Sequence, residues 1–209
     1  MFFPWTELFV INIGVFSLST FTAYSICILF KQPFINPKYS KELIATRIAD
    51  ARNTIVLVLA NSFITTSFLM YKLESVKNHT WFQTGLGICT YSMCIELLYY
   101  MYHRGVHSHP FVYTLIHKKH HMNHDVFPFD TFYLTSFDSM GLIVSLGLPL
   151  AFLPVSYFEL KTVLYIYLTS SYLSHSKLFY DHHHIHHTLV QYNYCILNPI
   201  FDIVFRTYK

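Results

Sequence analysis

The chain has 209 residues, of which 53% are hydrophobic and only 12% charged, and its mean hydropathy is positive. Soluble domains carry roughly 25% charged residues, so this composition excludes an ordinary water-soluble surface and points to a single membrane domain over residues 1–209. The net charge of +3 is small and spread over loops, and without a basic stripe it excludes a nucleic-acid partner.

A membrane helix needs about 20 mostly apolar residues. The first candidate covers residues 8–30 and ends at Lys31. It lacks the charged start of a cleaved signal peptide, and its apolar run is too long for one. The loop 31–53 holds Lys31, Lys38, Lys41, Arg47 and Arg52 against Glu42 and Asp50, so the positive-inside rule assigns it to the cytosol. A second span over residues 54–71, bounded by Lys72, leads to the far side. There Asn78-His79-Thr80 matches a glycosylation sequon too close to the bilayer for modification to be expected, and His79 reads as a solvated loop residue. A third span, residues 81–102, runs directly into histidines. The stretch 139–173 is too long for one span. Glu159 and Lys161 interrupt it, and Pro149 and Pro154 lie in its first half, which predicts a hairpin of two helices. Cys27, Cys89, Cys94 and Cys195 form no disulfide framework. The fold class is therefore all-α: an integral membrane bundle of about four to five helices.

Thirteen of the 14 histidines lie between His103 and His187. Three units stand out: His103 and His107; His117, His120 and His121; His183, His186 and His187. In the span order above, all three reach the cytosolic face. Helical residues advance by about 100° and 1.5 Å, so an i, i+4 pair shares a face. Adjacent histidines diverge by about 100° and can serve ions on different sides. Eight histidines exceed what one ion uses, so the spacing predicts a dinuclear site in a histidine-rich cytosolic cap. Imidazole suits Zn, Cu, Fe and Ni. Asp125, Asp130, Asp138, Asp181 and Glu96 are candidates to orient an imidazole through its second nitrogen. Taken singly, His109, His124, His182 and His184 read more readily as hydrogen-bonded side chains than as ligands.

These motifs, followed by Asn193-Tyr194-Cys195 and by Asp202-Ile203-Val204-Phe205-Arg206-Thr207, resemble the fatty acid hydroxylase/sterol desaturase superfamily. The first two motifs look nearest the sterol desaturase branch. The resemblance covers about residues 85–209 and makes 81–209 the catalytic region, with 1–80 supplying N-terminal spans and the cytosolic loop. It implies metal-ligand roles for His103, His107, His117, His120, His121, His183, His186 and His187, and it adds His175. His124 and His184 are further candidate ligands, and Asp138, Asp181 and Asn193 candidate supporting residues. It implies two iron ions, which zinc can replace, and O2 as co-substrate. A cytochrome-type donor fed by an NAD(P)H reductase would supply electrons. The reaction implied is hydroxylation or desaturation of a lipid drawn from the bilayer of the endoplasmic reticulum. Tyr99, Tyr100, Tyr102, Phe127, Phe129, Phe132 and Tyr133 are candidates to line the lipid's route.

Three departures from the family pattern stand out. The stretch 133–138 lacks a histidine that the family usually carries between its second and third motifs, and Cys195 and Arg206 stand where glycine is usual. The competing classes are a metal transporter, which would place ionisable ligands inside its spans, and a non-catalytic metal-binding member of the family.

Overall fold

The computed structural model describes residues 5–75, 79–178 and 181–209, with side chains over 9–68, 79–178 and 182–209. Among these residues there are only helices and loops. The α-helices are α1 (Trp5–Leu29), α2 (Lys41–Ser75), α3 (Trp81–Ser108), α4 (Pro110–Ile116), α5 (Ser136–Gly147), α6 (Tyr157–Ser174), α7 (Asp181–Leu189) and α8 (Ile200–Val204). Short 3-10 turns at His120–Met122, Pro128–Asp130 and Leu148–Ala151 join them. Asn78 of the sequon lies outside the described residues.

Local chemistry fixes the long helices. A capping box starts α3: the Gln83 amide donates to Thr80 Oγ1, and Gln83 Oε1 accepts from the Thr80 amide. Pro110 then stops α3. Its ring forces His109 into extended backbone (φ −125°, ψ 114°) while itself opening α4. That reversal folds the second histidine unit back against the first.

The predicted hairpin is present as α5 and α6, but its break lies at 152–156, beside Pro149 and Pro154, and not at Glu159 and Lys161. Glu159 instead sits in the first turn of α6. It completes a capping box with Ser156, where a negative charge meets the positive helix end. The predicted loop 31–53 is also shorter than expected, because α2 begins at Lys41. Its residues there are mostly good helix formers, and charge does not by itself end a helix.

The core sits between α3, α5 and α6, around Tyr91, Ile95, Tyr99, Leu160, Val163 and Tyr167. A second cluster of Ala23, Cys27, Phe132, Tyr172 and Leu173 joins α1 to α6. The outer surface is strongly apolar: Phe68 and Trp81 are each 89% exposed. The segment Phe9–Leu29 is long and apolar enough to cross a membrane, and Ser136–Ala151 is a shorter apolar stretch.

Candidate metal centre

Nine imidazoles meet at one end of the bundle, in two groups. His103, His107, His117, His121 and His186 form the first; His120, His175, His183 and His187 form the second. Within each group, one ligand-capable atom per residue lies within 4.8 Å of all the others. The local folds explain the division. His103 and His107 are one turn apart on α3, and His183 and His187 one turn apart on α7. His186 leaves the other side of α7 and joins the first group. The second unit departs from the expected α-helix. His117 caps α4, and His120 and His121 lie on a 3-10 turn, which still sends the two neighbours to different groups.

Four imidazoles are held through Nδ1 by an oxygen acceptor. His103 bonds the Tyr194 carbonyl at 2.7 Å, His186 the Tyr192 carbonyl at 2.6 Å, His175 the Ser171 carbonyl at 2.8 Å, and His117 the Asp138 carboxylate at 2.7 Å. Those acceptors assign the proton to Nδ1 and leave Nε2 as a lone pair. Yet Nε2 of His103 faces Nε2 of His117 at 2.9 Å. The same nitrogens of His186 and His121 are 3.1 Å apart, and His120 lies 3.3 Å from His175 and 3.2 Å from His187. In the His103–His117 pair, where both protons sit on Nδ1, two lone pairs so close repel unless a cation lies between them. Nitrogens about 2.1 Å from one metal ion and about 90–110° apart stand roughly 3.0–3.4 Å from each other.

Further nitrogens are buried without a hydrogen-bond partner: Nε2 of His107, Nδ1 of His120, His121 and His187, and both nitrogens of His183. Each would cost stability in a dry interior. The donor set, the facing Nε2 atoms and the orphaned nitrogens of His107 and His183 fit a pair of metal ions. Burial, reinforced by neighbouring imidazoles, pushes the pKa of His103, His107, His120, His121, His183, His186 and His187 down. Burial lowers that of His175 to about 4. The neutral form is the one that binds metal.

The surrounding residues differ in part from expectation. Asp138 holds His117 and also accepts from the Tyr102 hydroxyl at 2.8 Å. It lies in the same stretch, 133–138, that lacks the family histidine. The expected support from other residues is corrected. Glu96 accepts from the backbone amides of Ile196, Leu197 and Asn198. Asp130 pairs with Arg47 and Tyr39, and Asp125 with Lys177. Asn193 ties His182 to the chain end at Lys209. The Asp181 side chain lies outside the described residues.

His124 donates towards the His187 carbonyl, and neither it nor His184 belongs to either group. His182 faces the Ile196 carbonyl, and His109 is exposed. His79 is also corrected, because it bonds the buried Glu159 carboxylate at 2.7 Å.

The sequence motifs missed a support built from the C-terminal loop. Asp202, fully buried, accepts from the amides of Tyr194 and Cys195 and from the Thr207 hydroxyl. It thereby fixes the Tyr194 carbonyl that holds His103. The signal was present as the tail signature, although those residues bear no ligand.

A narrow cavity of about 50 Å³ opens beside the clusters, bordered by His117, His120, His175 and His183 and continued by Phe132, Leu134, Leu142 and Leu164. Of the seven aromatic residues expected along a lipid route, Tyr99 and Phe132 line it. Tyr133 instead covers Arg47, and Tyr100 packs on Phe205.

Comparison with known proteins adds one finding. The sequence model of a family described as fatty acid hydroxylase matches residues 88–207, which contain all nine clustered histidines. No curated protein and no solved structure matches the chain.

Proposed function

The chain belongs to the fatty acid hydroxylase family, and on that premise we propose that it is a membrane oxidoreductase that hydroxylates or desaturates a lipid with O2 at a di-iron centre. The observation that carries this reading is the pair of imidazole clusters beside an apolar cavity. Bound iron would supply the oxidation of an unactivated C–H bond, which no side chain can perform. His103, His107, His117, His121 and His186 would hold one ion, and His120, His175, His183 and His187 the other. The protein's own work is to keep these nitrogens neutral and aimed, and to exclude water. The Tyr194 and Tyr192 carbonyls and Asp138 do the aiming. Phe132, Leu134 and Leu142 keep the cavity dry and present a hydrocarbon to the clusters.

The family is membrane-associated, and Phe9–Leu29 is apolar enough to span. We extend this to four or five spans, in the endoplasmic reticulum, with the cap in the cytosol. The cationic segment from Lys31 to Arg47 lies at the histidine end of the bundle, where Phe34 accepts from the Phe129 amide and Arg47 pairs with Asp130. That agrees with a cytosolic cap. A cytochrome donor served by an NAD(P)H reductase would reach it there.

Purified protein is expected to hold about two irons per chain and to convert a membrane lipid to its alcohol or alkene, read by mass spectrometry. Replacing His120 or His186 with alanine should abolish turnover and leave membrane insertion intact. Protein that stays iron-free after reconstitution would sink the reading. Metal flux across liposomes would favour a transporter, and unchanged lipid profiles in expressing cells a non-catalytic member.

A further inference from the structure

The end of the bundle opposite the imidazoles holds a second group of polar side chains, which the metal centre does not use. Glu159 is fully buried there. Its carboxylate accepts from His79 Nδ1 at 2.7 Å and from the Ser156 amide at 2.8 Å. Gly87 of α3 faces it: a Cβ at that position would stand 2.9–3.1 Å from the carboxylate atoms, so the missing side chain leaves Glu159 its place. Gly87 is 16 residues from His103 on α3, and Glu159 is 16 from His175 along α6. Both helices therefore put about 24 Å between the two sites. Beside the His79–Glu159 pair lies a cavity of about 280 Å³, whose wall includes His79, Gln83, Thr90, Leu86, Leu153 and Val155. We propose that this cavity is a binding site for an uncharged hydroxyl group carried on a compact apolar body, with His79 as its principal hydrogen-bond partner. The site goes beyond the lipid-oxidising reading, because a ligand about 24 Å from the imidazoles is out of reach of their chemistry.

Three observations support the assignment. The first is the histidine. Glu159 engages Nδ1 and so fixes the orientation of the ring. Its Nε2 has no hydrogen bond to any described residue, yet it is not sealed from the surface. The second is Gln83. Its Oε1 accepts from the Thr80 amide at 2.9 Å and from the Thr80 hydroxyl at 3.1 Å, so what it offers a ligand is its NH2 donor. A hydroxyl donates to a neutral imidazole and accepts from an amide at once. A carboxylate would meet the charge of Glu159, an ammonium has nothing to accept from Gln83, and a hydrocarbon would leave both polar groups unpaired. The third is size and depth. The volume corresponds to about nine waters at ~30 Å³ each, which admits a small alcohol or a headgroup and excludes a long chain. Trp81 and Phe82, next to Gln83 in the chain, are strongly exposed, as aromatic residues are at a membrane interface. At that level the hydroxyl has two sources, a lipid headgroup or a small alcohol from the water.

The test is a ligand-observed NMR titration of the purified full-length protein in detergent with benzyl alcohol, toluene, benzylamine and benzoate, which share one ring and differ in the polar group. Benzyl alcohol should bind about tenfold or more tightly than the other three, the effect of one polar group left unpaired. Leu86→Trp, at an exposed position of the wall, should fill the cavity and weaken benzyl alcohol by about tenfold or more. His79→Phe should remove the preference for benzyl alcohol over toluene. If that variant does not fold, the order of the four probes and Leu86→Trp carry the test alone. Metal content should match wild type in both variants. Toluene binding as tightly as benzyl alcohol, or benzyl alcohol unaffected by Leu86→Trp, would overturn the assignment and leave the His79–Glu159 pair a structural tie. In nanodiscs, displacement of benzyl alcohol by a diacylglycerol would support the site with a lipid headgroup as the source, and displacement by glycerol would support it with a soluble alcohol.

Discussion

Asp138 joins the metal cluster to the helix beside it. Its carboxylate accepts hydrogen bonds from His117 Nδ1–H and the Tyr102 hydroxyl at once, and it is nearly inaccessible. Gly141, one turn along α5, makes room: a methyl there would overlap the Tyr102 ring. Losing such a support typically lowers metal affinity about 10–100-fold. Asp138→Ala should fall in that range by competition with a chromophoric chelator, and Tyr102→Phe should lose less. Wild-type affinity in Asp138→Ala would show that His117 is aimed by other means. The histidines also make a pH prediction for the metal-free protein. The folded-state pKa of His175 is about 4, against an unfolded value of about 6.5. Below pH ~6.5 the unfolded chain therefore binds protons that the folded chain refuses, so stability is complete above that value and is lost on descent towards pH ~4. The other depressed histidines add to the slope. A thermal midpoint that falls steeply over this window, and is restored by bound metal, is expected; a flat profile would contradict the burial of neutral imidazoles.

At the scale of elements, two left-handed residues close the supports of His186 and His103. Val190 has φ 61° just past α7, and Arg206 has φ 58° just past α8. A residue with a Cβ pays roughly 1–2 kcal/mol there, against about 0.5–1 kcal/mol for the freedom of glycine. Arg206→Gly and Val190→Gly should each raise stability by up to ~1 kcal/mol in denaturant titrations. The glycine usual at the position of Arg206 thus has a backbone reason. Cys195 needs none, because its φ is not positive and its side chain is buried. The i, i+4 pairs on α3 and α7 were legible because they depend only on helical period. So is the division of adjacent histidines between two imidazole groups. The fold of 117–122 was not, because Pro110 and a seven-residue α4 override the helical pattern. Glu159 looks like a break by hydropathy but caps α6, because capping depends on one partner three residues away, here Ser156. The role of Glu96 is hidden for a different reason. Its carboxylate accepts backbone amides of the C-terminal loop 100 to 102 positions away in sequence, whereas Asp202 reaches amides only seven and eight positions away, inside the tail signature.

At the scale of the whole molecule, the matched region is clamped by a helix outside it. Arg47 of α2 is buried, lies between the rings of Tyr39 and Tyr133 at 4.8 and 4.2 Å, and pairs with the buried Asp130. Three residues on, Asp50 meets Lys119 at 3.2 Å, within the second histidine unit. The loop held in this way carries Thr131, Phe132 and Leu134, which form part of the cavity wall beside His120. The N-terminal half is therefore required for the shape of the site as well as for anchoring it. Truncating one partner of a buried pair typically costs about 3–5 kcal/mol, because the other charge stays behind unpaired. Arg47→Ala should accordingly destabilise by that order and speed amide exchange in residues 123–135 before it affects α3. Arg47→Lys should recover only part of the loss, since an ammonium neither stacks flat between two rings nor offers a planar fork to a carboxylate. Removing both charges, as Arg47→Met with Asp130→Asn, should cost less than Arg47→Ala. A single variant with wild-type stability and exchange would place the rigidity of the cap wholly within residues 88–207.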